Sequence, residues 1–226
     1  MRGCFVTGTD TGAGKTVVAA AMAAALRARG ERVAAFKPVL TGLDEVADPD
    51  WPPDHELLAA AAGGVPESVA PLRFGPAVSP HLAAELAGRA IEPAELVAAA
   101  LRAARGADAL IVEGVGGLLA PLTPDYSVRD LARELALPVV VASRPGLGTI
   151  NHSLLTVEGA RAGGLEVRGV VMTPWPERPG AVERSNRETV QRLGGIPVSV
   201  LTGLERGEPA ALARAGAELP LDAWLD

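Results

Sequence analysis

Residues 4–16 read Cys4-Phe5-Val6-Thr7-Gly8-Thr9-Asp10-Thr11-Gly12-Ala13-Gly14-Lys15-Thr16. A short strand-forming run, Cys4–Thr7, enters a glycine-rich loop, and an alanine-rich segment follows from Lys15 to Arg29. Strand, glycine loop, helix is the context in which backbone N–H groups cradle phosphates. In that context a lysine reaches the β- and γ-oxygens and a hydroxyl ligates Mg²⁺. The stretch therefore predicts a nucleoside-triphosphate site built on Gly12, Ala13, Gly14, Lys15, Thr16 and Val17. The strict G-x-x-x-x-G-K-[ST] spacing would put its first glycine at position 9, but that residue is Thr9 and the glycine is Gly8. Gly-Lys-Thr alone recurs by chance, so the strand and helix around it carry the assignment.

Outward from this loop, β-branched runs alternate with Ala/Leu-rich runs, the pattern of a parallel sheet with crossover helices. Strands are expected at Cys4–Thr7, Val33–Lys37, Ala109–Glu113, Pro138–Ala142, Val167–Met172 and Val198–Leu201. Helices are expected at Lys15–Arg29, Asp54–Ala62, Pro93–Arg105, Val128–Leu135, Asn151–Arg161, Ala181–Leu193 and about Pro209–Ala215. Uninterrupted apolar runs such as Val139-Val140-Val141-Ala142 suit strands buried on both faces. Residues 42–53, 63–80 and 173–180 are rich in Pro and Gly and read as loops. No repeat or linker divides the chain. The expected fold is α/β, a single P-loop-type domain over 1–226, with a mainly parallel sheet and helices on both faces.

The 226 residues are 48% hydrophobic, only 3% aromatic, and carry a net charge of −6. Such a core must be built from Ala, Val and Leu. The acidic balance, with no Lys/Arg cluster, argues against a nucleic-acid partner. No apolar run is long enough to cross a bilayer, so no membrane is expected. Cys4 is the single cysteine, which excludes a disulfide framework and points to a reducing cytoplasm; within a first strand it reads as a small core residue. The N-terminus runs straight into a strand, with no signal-peptide pattern.

The chain has two lysines, Lys15 and Lys37, against nineteen arginines. An ammonium is a compact point charge suited to a tight phosphate cradle, whereas a guanidinium is a wide planar fork. Both lysines therefore read as catalytic cations flanking a γ-phosphate, with chance and codon bias as the bland alternative. Ala109-Leu110-Ile111-Val112-Glu113 places a carboxylate at a strand's C-terminal end, where open α/β sheets gather ligands. Glu113 then reads as a metal carboxylate, or as an ordinary solvated strand cap. The glycines of Gly114-Val115-Gly116-Gly117 allow close backbone approach to a ligand.

Three segments together resemble the dethiobiotin synthetases: Thr7-Gly8-Thr9-Asp10-Thr11-x-x-Gly14-Lys15-Thr16, Lys37-Pro38-Val39-x-Thr41-Gly42, and Val112-Glu113-Gly114-x-Gly116-Gly117. Ser79-Pro80-His81, Asp54 before Leu57-Leu58, and Gly148-Thr149-Ile150-Asn151-His152 extend the likeness, which runs to about residue 190. The resemblance implies an ATP- and Mg²⁺-dependent homodimer that converts 7,8-diaminononanoate and CO₂ to dethiobiotin. It implies that Lys37 contacts the carbamate and phosphate, and that Thr41 hydrogen-bonds the substrate amine. Thr11 and Val115 join them as substrate contacts. Gly148, Thr149, Ile150 and Asn151 would hold the substrate carboxylate from the neighbouring subunit; a plain capped helix start is the alternative. Thr16, Asp54 and Glu113 form an oxygen-only magnesium set. Asp54 also reads as a helix N-cap.

One departure stands out. After the strand at 167–172 the family usually carries an Asn-Asp pair that reads adenine. This chain has Thr173-Pro174-Trp175-Pro176. A hydroxyl lacks the paired donor and acceptor of an amide, so CTP or GTP are admissible beside ATP. Thr173, Pro174 and the segment Leu201-Thr202-Gly203 are expected near the base, as Gly116 is near the phosphates. His152 reads as a packing or capping residue, and His81 as a cleft or turn residue. Two other functions fit the fold: a switch ATPase acting on a protein partner, and a cobyrinate-type amide ligase domain. The first typically carries an additional lysine early in the loop, and positions 9–13 have none. The second normally needs an attached glutamine-hydrolysing domain with a nucleophilic cysteine, which Cys4 in a first strand cannot be.

Overall fold

A computed structural model describes residues 2–46, 48 and 51–226. Strands are β1 Gly3–Gly8, β2 Val33–Phe36, β3 Val39–Leu40, β4 Leu72–Arg73, β5 Ala109–Glu113, β6 Pro121–Thr123, β7 Tyr126–Ser127, β8 Val139–Ser143, β9 Val167–Trp175 and β10 Val198–Thr202. Helices are α1 Lys15–Ala28, α2 Asp54–Ala62, α3 Pro66–Val69, α4 Pro80–Leu86, α5 Pro93–Ala103, α6 Val128–Leu135, α7 Thr149–Ala162, α8 Ala181–Gly194, α9 Pro209–Ala217 and α10 Leu221–Leu225. The main sheet has six strands in the order β10-β9-β8-β1-β5-β2, all parallel. The order reverses beside β1, so the two halves of the chain wind outward from the strand that carries the glycine loop.

The apolar strands still alternate. Cys4, Val6, Ile111, Val140, Ala142 and Val171 point to one face, under α1, α2, α9 and α10. Phe5, Leu110, Val112, Val139, Val141, Val170 and Met172 point to the other, under α5–α8. Parallel strands covered on both faces need no polar side. Helix α1 is buried at every position from Val18 to Leu26. Its alanines allow close backbone approach: a Cβ added to Gly216 of α9 would sit 2.0 Å from the Ala21 carbonyl oxygen.

All six expected strands form the main sheet. Strand β9 runs three residues beyond the expected stop at Met172. Its β8 neighbour ends at the Ser143–Met172 pairing, and β10 alone continues beside it to Trp175. Pro174, which has no N–H, thus lies where one side of the ladder has ended. The region 63–80 holds α3 and β4, too short to show a period. In the 42–53 loop, residues 47, 49 and 50 lie outside the described residues. Helix α7 starts at Thr149 rather than Asn151, because Gly148 (φ 91°) turns the chain into it.

Candidate active site

Register brings the site together. Val6 pairs with Glu113, and Phe36 pairs with Val112, so Lys37, one step past β2, falls beside Glu113. The loop 8–14 opens from the end of β1, on the other side of β5 from Lys37. The result is a cavity of about 760 Å³, lined among others by Thr11, Lys15, Thr16, Lys37, Asp54 and Glu113. Gly12, Gly14, Val17, Thr41, Val115 and Gly116 also line it.

The glycine at position 8 has a local cause. A Cβ there would lie 2.9 Å from Cγ of Lys15; the lysine stem crosses the strand end, which only glycine permits. Gly14 is as constrained: its φ is 87°, and a Cβ would lie 2.3 Å from Cγ2 of Thr173. Lys15 Nζ donates to the Asp10 carbonyl at 3.0 Å. Burial, with Lys37 nearby, holds Lys15 below the ordinary lysine range against the pull of Glu113. Among the described residues, the N–H groups of Gly12, Ala13 and Gly14 donate no hydrogen bond within the chain. They are free to meet an anion.

Lys37 is 3% exposed and bridges two carboxylates: Nζ donates to Glu113 Oε1 at 2.6 Å and to Asp54 Oδ2 at 2.7 Å. Burial alone would lower its pKa, but Glu113 and Asp54 together hold it above the ordinary range. Burial acts in the opposite sense on Asp54, and the Lys37 ammonium outweighs it, leaving Asp54 below the usual carboxylate range. Thr16 Oγ1 donates to Glu113 Oε1 at 2.9 Å. The other oxygen, Glu113 Oε2, is buried with no hydrogen-bond partner among the described residues. The N-cap reading of Asp54 is corrected: Pro53 occupies the cap, Asp54 is the first helical residue, and no side-chain cap bond forms. The solvated-cap reading of Glu113 is corrected too, since its side chain is fully buried.

The remaining expected residues lie outside this cavity. Thr173 is buried against Gly14, and Gly203 approaches Pro174, where a Cβ would be 3.3 Å from the proline Cβ. Leu201 points into the core and Thr202 is exposed. Thr149 is buried against Ser153, Ile150 packs on the core, and Asn151 is exposed. His152 is exposed, which corrects the packing reading; His81 lies in the first turn of α4. One residue went unread in the sequence. Arg144, just past β8, donates from Nε to the Gly12 carbonyl at 3.0 Å and from Nη2 to the Thr11 carbonyl at 3.4 Å. No motif marks an arginine that the pairing of β1 with β8 places there, 132 residues from Gly12.

Residues 2–205 match the family described as AAA domain. An ATP-dependent dethiobiotin synthetase from Anaeromyxobacter dehalogenans is 47% identical over 204 residues, 89% of this chain and 90% of the relative. One from a Mycobacterium species is 39% identical over 223 residues, 97% and 96% of the two chains. Among solved structures, the MinC:MinD cell division protein complex of Aquifex aeolicus matches with TM-score 0.59 at 13% identity, covering 96% of this chain and 93% of that one. A ParA family ATPase from Chlorobium tepidum matches with TM-score 0.53 at 14% identity, covering 96% and 91%. At such identities the structures speak for the fold alone. The sequence relatives speak for more: the chain belongs to the ATP-dependent dethiobiotin synthetases.

Proposed function

We propose that this protein uses ATP and Mg²⁺ to carboxylate 7,8-diaminononanoate with CO₂ and close it to dethiobiotin, releasing ADP and phosphate. The observation that carries this reading is the convergence of both lysines, Thr16, Asp54 and Glu113 on one cavity, in a chain 36–47% identical to several dethiobiotin synthetases. One amine adds to CO₂ and loses a proton, giving a carbamate. A carbamate oxygen attacks the γ-phosphorus and ADP leaves, giving a carbamic–phosphoric anhydride. The second amine attacks the carbonyl carbon, gives up a proton and expels phosphate, closing the cyclic urea.

Phosphoryl transfer of this kind depends on positioning and charge neutralisation. Lys15 and the loop N–H groups hold the phosphates. Lys37 supplies its charge where the carbamate meets the γ-phosphoryl group, and Thr41 orients the amine. Thr16, Asp54 and Glu113 fit Mg²⁺: all three offer oxygens, and Glu113 Oε2 is a buried acceptor without a donor among the described residues. Among the described residues, no cluster of three His, Cys, Asp or Glu could hold a metal alone. Magnesium of this type draws further ligands from substrate phosphates and water, and supplies neutralisation of phosphoryl charge.

The homodimer is part of the proposal. Leu147, two residues before α7, is 99% exposed, and Leu155, midway along α7, is 59% exposed; the start of this helix would meet a neighbour's substrate carboxylate. A reducing cytoplasm suits the single, fully buried Cys4, whose thiol burial pushes up to about 12. That same burial disfavours the amide-ligase alternative, and no observation favours a switch ATPase. The deciding experiment is ADP release with and without diaminononanoate plus bicarbonate. Release independent of both would overturn the reading, and an active monomer in sedimentation would overturn the dimer.

A further inference from the structure

Helix α8 lies on the outside of the sheet, and its buried positions are Asn186, Val190 and Gly194. An asparagine is a poor helix former, and here it occupies a stripe that would otherwise hold apolar side chains. Asn186 is 7% exposed. Its Nδ2 donates to two consecutive carbonyls of the β8–α7 loop, Pro145 at 2.8 Å and Gly146 at 3.0 Å. Facing two acceptors, the amide can only present its nitrogen. The Gly146 carbonyl also accepts the Thr149 N–H at 3.3 Å, so Asn186 holds the oxygen that starts the first turn of α7.

The residue before Pro145 is Arg144, whose guanidinium grips the Thr11 and Gly12 carbonyls from outside the phosphate loop. Each gripped carbonyl belongs to the same peptide unit as a free N–H: Thr11 with Gly12, and Gly12 with Ala13. A cation bound at the carbonyl polarises the N–H at the other end of that unit. We infer that Asn186 and Arg144 are positioning residues for nucleotide binding, with Asn186 fixing the β8–α7 loop so that Arg144 can hold and polarise the phosphate loop. The inference rests on the loop at 8–16 being the nucleotide site. It is independent of the second substrate.

The test is titration of the full-length protein with fluorescent N-methylanthraniloyl-ADP and Mg²⁺. Arg144→Gln is expected to weaken binding about tenfold, the worth of one charged hydrogen bond. Arg144→Lys should recover part of the loss. Asn186→Asp, nearly isosteric but with oxygens facing two carbonyls, should also weaken binding about tenfold. The double variant should be no worse than either single one, because the second residue acts through the first. A hundredfold loss in the double variant, or wild-type binding by Arg144→Gln, overturns the inference. If Asn186→Asp does not fold, Asn186→Ala carries the same cycle. Wild-type binding by Lys15→Ala would instead sink the nucleotide-site reading itself.

Discussion

Lys37 Nζ lies 2.6 Å from Glu113 Oε1, with the lysine side chain 4% and the glutamate 0% exposed. Breaking a buried pair on one side leaves an uncompensated charge, at a typical cost of about 3–5 kcal/mol. Lys37→Met should therefore be strongly destabilised. The double variant Lys37→Met/Glu113→Gln should regain at least half of that loss. Urea unfolding of the four proteins measures it, and additive losses would show that the two groups are not coupled.

The two lysines should fail differently in kinetics. Lys15→Ala loses a phosphate contact present in both ground and transition states, so nucleotide binding and turnover fall together. Lys37→Ala should mainly lower kcat, by at least a hundredfold, since its charge matters most as the phosphoryl group moves. Lys37→Arg should not restore full activity, because the wider fork must fit between Glu113 and Asp54. Initial rates over a range of nucleotide concentrations separate the cases. Near wild-type turnover by Lys37→Ala would make that residue incidental.

Choice among nucleotides should be loose. Thr173 is committed to packing on Gly14, and Pro174 has no N–H to offer. Discrimination is strong only where the wrong base leaves polar groups unpaired. CTP or GTP should support product formation within tenfold of ATP in kcat/KM, a gap of about 1.4 kcal/mol. Initial rates at fixed Mg²⁺ check this; a thousandfold preference for ATP would mean that backbone near Gly203 reads adenine.

At the sheet's edge, Asp108 accepts hydrogen bonds from the Arg32 side chain and backbone N–H, which hold its pKa down at about 2. A depressed carboxyl contributes stability that is present above its ordinary pKa of 3.8 and is lost as pH falls toward 2. Asp108→Asn should thus melt below the wild type at pH 7 and alongside it near pH 2. Thermal scans at the two values test this, and an equal gap at both would exclude ionisation of Asp108 as its source.

The sheet was readable because buried parallel strands are nearly continuous apolar runs, and both lysines stood out against an arginine background. Glu113 was readable from its strand end. Arg144 and Asn186 were not, because their partners lie far away in sequence and they act on backbone carbonyls, which leave no residue signature. The extension of β9 through Pro174 was hidden for a related reason: it depends on β8 having stopped, a fact about a neighbouring strand.

The confinement of both lysines to one cavity, at 6% and 3% exposure, gives the protein an unusual chemical surface. Every other side-chain cation is an arginine, so acylating or amine-coupling reagents meet no ordinary surface lysine and are directed to the α-amino group. Slow acylation at Lys15 or Lys37, blocked by bound nucleotide, would then act as a footprint of site occupancy, read by mass as adducts beyond the one at the α-amino group.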